Sequence, residues 1–151
     1  MFQLIVAVIS IALVAALAIA SIYYGGSAFS KSSLRANVVT LVNGGQQIAG
    51  AQALYRTDFG VDAGSMSQLT TSVNGVTYLA SVPGISPIAS AAGWSVLSNG
   101  DFAVIQLSAA DTTEVCAEVA RQAGAGAAQF YCGDNAGAAL ASNATHFVFK
   151  L

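Results

Sequence analysis

From Phe2 to Tyr24 the chain is apolar at nearly every position, and no charged side chain appears before Lys31. Gln3, Ser10 and Ser21 are the polar interruptions, and a serine hydroxyl can bond back to a helix carbonyl one turn earlier. About 20 apolar residues carry a helix across the hydrocarbon of a bilayer, and residues 4–24 supply them. Past Gly26 the pattern becomes amphipathic. Leu34, Val38, Leu41, Ile48 and Tyr55 fall on one side at helical spacing, with Ser32, Asn37, Thr40, Asn43, Gln46 and Gln47 on the other. The two stretches predict one helix of about fifty residues, roughly 75–80 Å long. It should end near Arg56, before Thr57-Asp58-Phe59-Gly60. Gly25-Gly26 and Gly44-Gly45 are its expected weak points, because glycine costs about 1 kcal/mol in a helix interior.

The remaining pattern is β-rich and broken by turns. Asn74-Gly75 is a turn signal before a candidate strand, Val76-Thr77-Tyr78-Leu79. Pro83-Gly84 and Pro87 interrupt regular structure. Gly93–Leu97 and Phe102–Leu107 predict a hairpin around Asn99-Gly100-Asp101. Asp111 or Thr112 should cap a short helix through about Ala123, with Val115, Cys116, Val119 and Ala120 on one face. Residues 124–144 read as a glycine- and alanine-rich loop, and Thr145–Leu151 as a closing strand. The fold class is therefore α+β: a long helix with an apolar first half, then an antiparallel sheet that should cover the Leu34–Tyr55 stripe. The expected division is residues 1–30 as the apolar helix and residues 31–151 as the globular head.

Composition sharpens this picture. The chain is 55% hydrophobic and only 8% charged, with mean hydropathy +0.65, far from the roughly 25% charged residues of a soluble domain. Much of the excess sits in the first thirty residues. The opening Met1-Phe2-Gln3 lacks the basic region of a cleavable signal peptide. The segment thus reads as a plain membrane anchor, or as a mature N-terminus from which a charged leader has been removed. Lys31 and Arg35 follow the span, which by itself fixes no orientation. Ala7, Ala12, Ala15, Ala16, Ala18 and Ala20 leave a thin helix, suited to packing among copies of itself. Net charge is −2 with five scattered basic residues, so no basic stripe for direct nucleic-acid binding exists. Cys116 and Cys132, an even count beside a membrane segment, point to export and a disulfide, the alternative being two buried thiols.

Catalytic signatures are missing. Neither a phosphate-binding loop of the Walker type nor a nucleophile elbow is present. Gly124–Gln129 begins like a dinucleotide loop but lacks the third glycine and a preceding strand. His146 is the one histidine, on an alternating strand, and reads as a surface or edge side chain. Glu114 and Glu118, with Asp111 nearby, read as a solvated helix face. Asp58 and Asp62 flank a glycine loop that is short of calcium ligands. Asn143-Ala144-Thr145 matches a glycosylation sequon. No enzymatic activity, cofactor or metal is expected.

The order of these features resembles type IV pilins, and the details resemble the type IVb branch. The carriers are Met1 before an apolar helix and the stretch Gln46–Tyr55. The hairpin Trp94–Leu107, the helix Asp111–Ala123 with its cysteine, Tyr131-Cys132 and the closing strand complete them. The resemblance implies an N-methylated Met1 and a Cys116–Cys132 staple of the C-terminal D-region. It implies processing by a prepilin peptidase and handling by pilus assembly machinery. The subunit would wait in the inner membrane and then join an extracellular helical filament of identical copies. That filament would serve adhesion, aggregation, motility, DNA uptake or conjugative mating. Met1, Phe2, Gln3, Leu4 and Ile5 would lie at the assembly contact. One feature departs from the family: its usual glutamate at the fifth mature position is Ile5 here, and the nearest polar side chain is Gln3. Gly25 and Gly26 are expected to let the helix kink or unwind within the filament. The alternatives are a secretion-system pseudopilin or minor pilin, and a single-span protein with a periplasmic binding domain.

Overall fold

The computed structural model describes residues 1–97, 99–108, 112–124, 129–134 and 144–151. The elements run α1 (Phe2–Phe59), α2 (Met66–Thr70), β1 (Ala89–Val96), β2 (Phe102–Leu107), α3 (Thr112–Ala123), β3 (Phe130–Gly133) and β4 (His146–Lys150). The strands form one four-stranded antiparallel sheet in the order β1-β2-β4-β3. The fold is α+β. The chain divides into two compact units, Met1–Arg35 and Ala36–Leu151, with α1 contributing to both.

α1 ends one turn later than the spacing predicts. Gly60 takes φ +71° and its N–H donates to the Arg56 carbonyl at 2.8 Å. That left-handed residue closes the helix as a glycine just past its end, so Thr57, Asp58 and Phe59 are still helical. The candidate strand at Val76 is absent. Val73 and Val76 instead exchange a pair of backbone hydrogen bonds at 2.9 and 3.0 Å around Asn74-Gly75. Both turn residues have positive φ, as a tight hairpin turn demands, but the arms stop there. Two elements were not expected. α2 is a single turn whose Gln68 side chain accepts from the N–H groups of Gly64 and Ser65. β3 lies inside the stretch that reads as loop, because only four residues pair with β4. The Asp111 cap, the sequon's Asn143 and residues 125–128 of the glycine loop lie outside the described residues.

In the second unit the sheet packs on α1. Val38, Leu41, Ile48 and Tyr55 are buried as the stripe requires, while Leu34 is only half-buried. β2 and β4 hold the centre of the sheet, and Ala103, Val104, Ile105, Phe147, Val148 and Phe149 are all buried. Consecutive buried residues mean that both faces of these strands are covered, and α3 lies against β3. β1 carries a bulge: Ala89 pairs with Leu107 but Trp94 with Ile105.

Gly44 and Gly45 are not weak points. A Cβ on Gly44 would stand 2.9 Å from the Trp94 ring, and one on Gly45 2.9 Å from Phe149 Cβ and closer still to its ring. Both glycines admit the sheet's aromatic rings to the helix backbone, so their low helix propensity is offset by burial. Gly50, on the same helix, has open space around it. Gly45→Ala should destabilise the oxidised protein by about 1–3 kcal/mol through overpacking against buried Phe149. Gly50→Ala should stabilise it by about 1 kcal/mol. Urea unfolding of the two variants checks the opposite signs.

Candidate functional site

Among the described residues, the longest run of exposed apolar side chains lies on the first unit. Every residue from Met1 to Tyr24 is exposed, Leu4, Ile11, Leu17, Ile19 and Ile22 each by two-thirds or more. Within this helix the Ser10 and Ser21 hydroxyls donate to the carbonyls of Val6 and Leu17, both at 2.8 Å. Their polarity is thus spent on the backbone and leaves the surface apolar. Water solvates such an area poorly, and a patch this large marks a membrane or protein contact. The helix is long and apolar enough to cross a membrane.

The expected assembly residues all belong to this surface. Met1 precedes the helix, and Phe2, Gln3, Leu4 and Ile5 form its first turn with no acidic side chain among them. Gly25 and Gly26 are helical here. In the single chain, then, α1 is not interrupted at the glycine pair. An isolated helix loses backbone hydrogen bonds by opening and gains no packing in return. A Cβ at either glycine would meet nothing within 4 Å, so close approach does not explain them as it explains Gly44 and Gly45. Tyr23 and Tyr24 set their rings edge to face, 5.7 Å apart, at the end of the apolar run.

Cys116 and Cys132 are bonded, joining α3 to β3 with Cα atoms 5.7 Å apart. The other candidate residues have separate structural partners. Asp58 accepts from the Tyr78 hydroxyl at 2.6 Å, and Asp62 pairs with Arg56 at 2.5 Å. The Arg56 hydrogen bond holds the Asp62 carboxyl below its usual range, against the opposing effect of burial. Among the described residues no three His, Cys, Asp or Glu side chains converge as a metal site. Glu118 corrects the expectation of a solvated acidic face. It is only 5% exposed, pairs with Arg121 and accepts from Gln122 at 2.9 Å, while Glu114 is exposed. His146 is half-buried beside Thr145, at 2.8 Å from its hydroxyl, and burial lowers its pKa despite Asp134.

Sequence reasoning missed Gln52. Its Nε2 donates to the carbonyls of Ala63 and Gly100, both at 3.2 Å, from a 2% exposed side chain. It ties the end of α1 to the β1–β2 turn. The signal was available: Gln52 is four residues after Ile48 and three before Tyr55, on the buried stripe. Beside it, Tyr55, Phe59 and Tyr78 form an aromatic cluster with centroids 4.6 to 6.3 Å apart.

Two outcomes follow from these contacts. Reduction of the disulfide frees a loop of about fifteen residues and should cost about 3 kcal/mol in the chain-entropy model. Thermal unfolding with and without reductant measures it. The bond to Asp58, aided by burial, pushes the Tyr78 hydroxyl up to about 12 from 10.0. The raised value favours the neutral phenol in the folded state. Its contribution is therefore full below pH 10 and lost as pH rises through about 12. Asp58→Asn should bring the Tyr78 titration back toward 10, read from phenolate absorbance against a Tyr78→Phe control. Comparison of the whole chain with protein-family models, with curated proteins and with solved structures returned no match.

Proposed function

We propose that the chain is the structural subunit of a type IV pilus-like filament. It would be held in the inner membrane by residues 1–24 before assembly and packed through them afterwards. The observation that carries this reading is the uncharged, exposed surface from Phe2 to Tyr24 on a helix whose later part packs under a disulfide-stapled sheet. Burying apolar area contributes about 25 cal/mol per Å², so copies of this helix would associate once lipid is left behind. The alanines thin the helix and let backbones approach.

The reading must also account for Ile5 and the glycine pair. Without a carboxylate in the first turn, the Met1 amine would need other acceptors among packed helices. The Gln3 side-chain carbonyl and backbone carbonyls of a neighbouring copy would supply them. In the filament, Gly25-Gly26 is the least costly place to lose helical hydrogen bonds. A break there would let the filament lengthen under tension.

The test is electron microscopy of material sheared from the cell surface. The native chain should give filaments. Ala16→Asp should abolish them while chain remains in the membrane fraction, because an unpaired carboxylate among packed helices is very costly. Native filaments from Ala16→Asp overturn the packing role. A native chain that stays in the membrane and never yields filaments is a single-span anchored domain instead.

A further inference from the structure

The dipeptide Asn-Gly occurs three times, at Asn43-Gly44, Asn74-Gly75 and Asn99-Gly100. Asparagine is among the thermally labile side chains, and a following glycine makes it more so. The glycine nitrogen, once deprotonated, can attack the asparagine side-chain carbonyl carbon with no Cβ in the way. The structure gives the three copies different surroundings. Gly44 lies inside α1, where its N–H is bonded to the carbonyl four residues earlier and the helix fixes the backbone. Gly100 donates its N–H to the Leu97 carbonyl at 2.8 Å and accepts from the Gln52 amide at 3.2 Å. Asn99 is held as well, its Nδ2 donating to Asp101 at 2.7 Å.

Asn74-Gly75 has none of these restraints. Both residues are exposed, and a Cβ on Gly75 would meet nothing within 4 Å. Among the described residues no hydrogen bond holds the Asn74 side chain or the Gly75 N–H. The turn is closed by the two Val73–Val76 backbone bonds, and no ladder continues beyond them. Asn74 sits at φ +52°, and ring closure requires its backbone to leave that left-handed well. Opening a surface turn held by so few bonds costs little, and loop tips are where such local opening concentrates. Water, the other reactant, is at hand.

We infer that Asn74 is a site of spontaneous deamidation and isomerisation, a covalent modification that uses water and no enzyme. The Gly75 nitrogen gives its proton to solvent and forms a bond to Asn74 Cγ. The Cγ–Nδ2 bond breaks, and ammonia leaves with a proton taken back from water. The product is a five-membered succinimide, which water then opens. Cleavage between the Gly75 nitrogen and Cγ gives aspartate. Cleavage between that nitrogen and the Asn74 backbone carbonyl carbon gives isoaspartate, whose main chain runs through the former side chain. Nothing is oxidised or reduced, and a neutral amide becomes a carboxylate. Residues 63–100 contain no charged side chain. The new carboxylate is therefore the first charge in that stretch, four residues before Tyr78 and its bond to Asp58. Isoaspartate also adds a main-chain atom to a two-residue turn, which breaks the Val73–Val76 pairing.

This chemistry goes beyond the proposed function and does not depend on filament formation. The experiment holds the folded, disulfide-bonded full chain in detergent micelles in warm, mildly alkaline buffer. Peptide mass spectrometry follows the three asparagines separately, with fragmentation that tells isoaspartate from aspartate. Asn74 should convert at least about 10-fold faster than Asn43 and Asn99, because each hydrogen bond that must open first lowers the reactive population. Both products should appear at position 74. In urea with reductant the environments are lost, and the three rates should come within about 3-fold of one another. Asn43 or Asn99 converting as fast as Asn74 in the folded chain overturns the site. So does a folded chain whose Asn74 stays intact over the time in which the unfolded chain converts.

Discussion

The second unit is organised by the close approach of the sheet to α1 at Gly44 and Gly45. Trp94 from β1 and Phe149 from β4 press their rings on the helix backbone where any other residue would place a Cβ. Phe147, two residues before Phe149 and so on the same face, meets Trp94 edge to face at 6.0 Å and stacks with Phe130 at 5.9 Å. This aromatic layer spans the width of the sheet. It is anchored at the far end of the helix by Gln52, whose amide holds the α1–α2 loop and the β1–β2 turn together. Gly100, at φ +76°, is the only residue type that fits there, since a Cβ would meet the Gln52 amide at 2.9 Å.

The disulfide acts on the opposite side of the same problem. β3 is a four-residue edge strand, in a stretch of glycine and alanine with little preference of its own. α3 meets it through Cys116–Cys132. A short strand without a strong local signal persists where pairing with β4 and a covalent tie outweigh the entropy of ordering it. Glu118 on α3 is buried with Arg121 beside it. Leaving such a carboxylate unpaired would cost more than the pair itself contributes.

The two kinds of glycine pair in α1 have different physical meanings. Gly44-Gly45 makes room for aromatic rings, whereas Gly25-Gly26 faces open space in the single chain. The first pair strengthens packing and the second leaves the helix locally weak. Where a helix must serve a bilayer and a packed assembly, weakness at the boundary between its apolar and amphipathic parts is a usable property.

Much of this protein is legible one residue at a time. An apolar run of bilayer length announces itself because its signal is local and depends on no partner. The buried stripe Val38, Leu41, Ile48, Tyr55, the hairpin around Asn99-Gly100 and the strand at Phe147 follow from periodicity and turn chemistry for the same reason. The sequence by itself therefore determined the α+β class, the exposed apolar helix and the cysteine pair as a candidate bond. Only the tertiary structure decided what Gly44, Gly45 and Gln52 do, because a glycine's worth depends on which ring approaches it and an amide's on which carbonyls it finds. It also decided that Phe130–Gly133 is a strand and Glu118 is buried. Both depend on β4 and Arg121, neighbours that chain order does not reveal for the strand and that burial alone makes obligatory for the carboxylate.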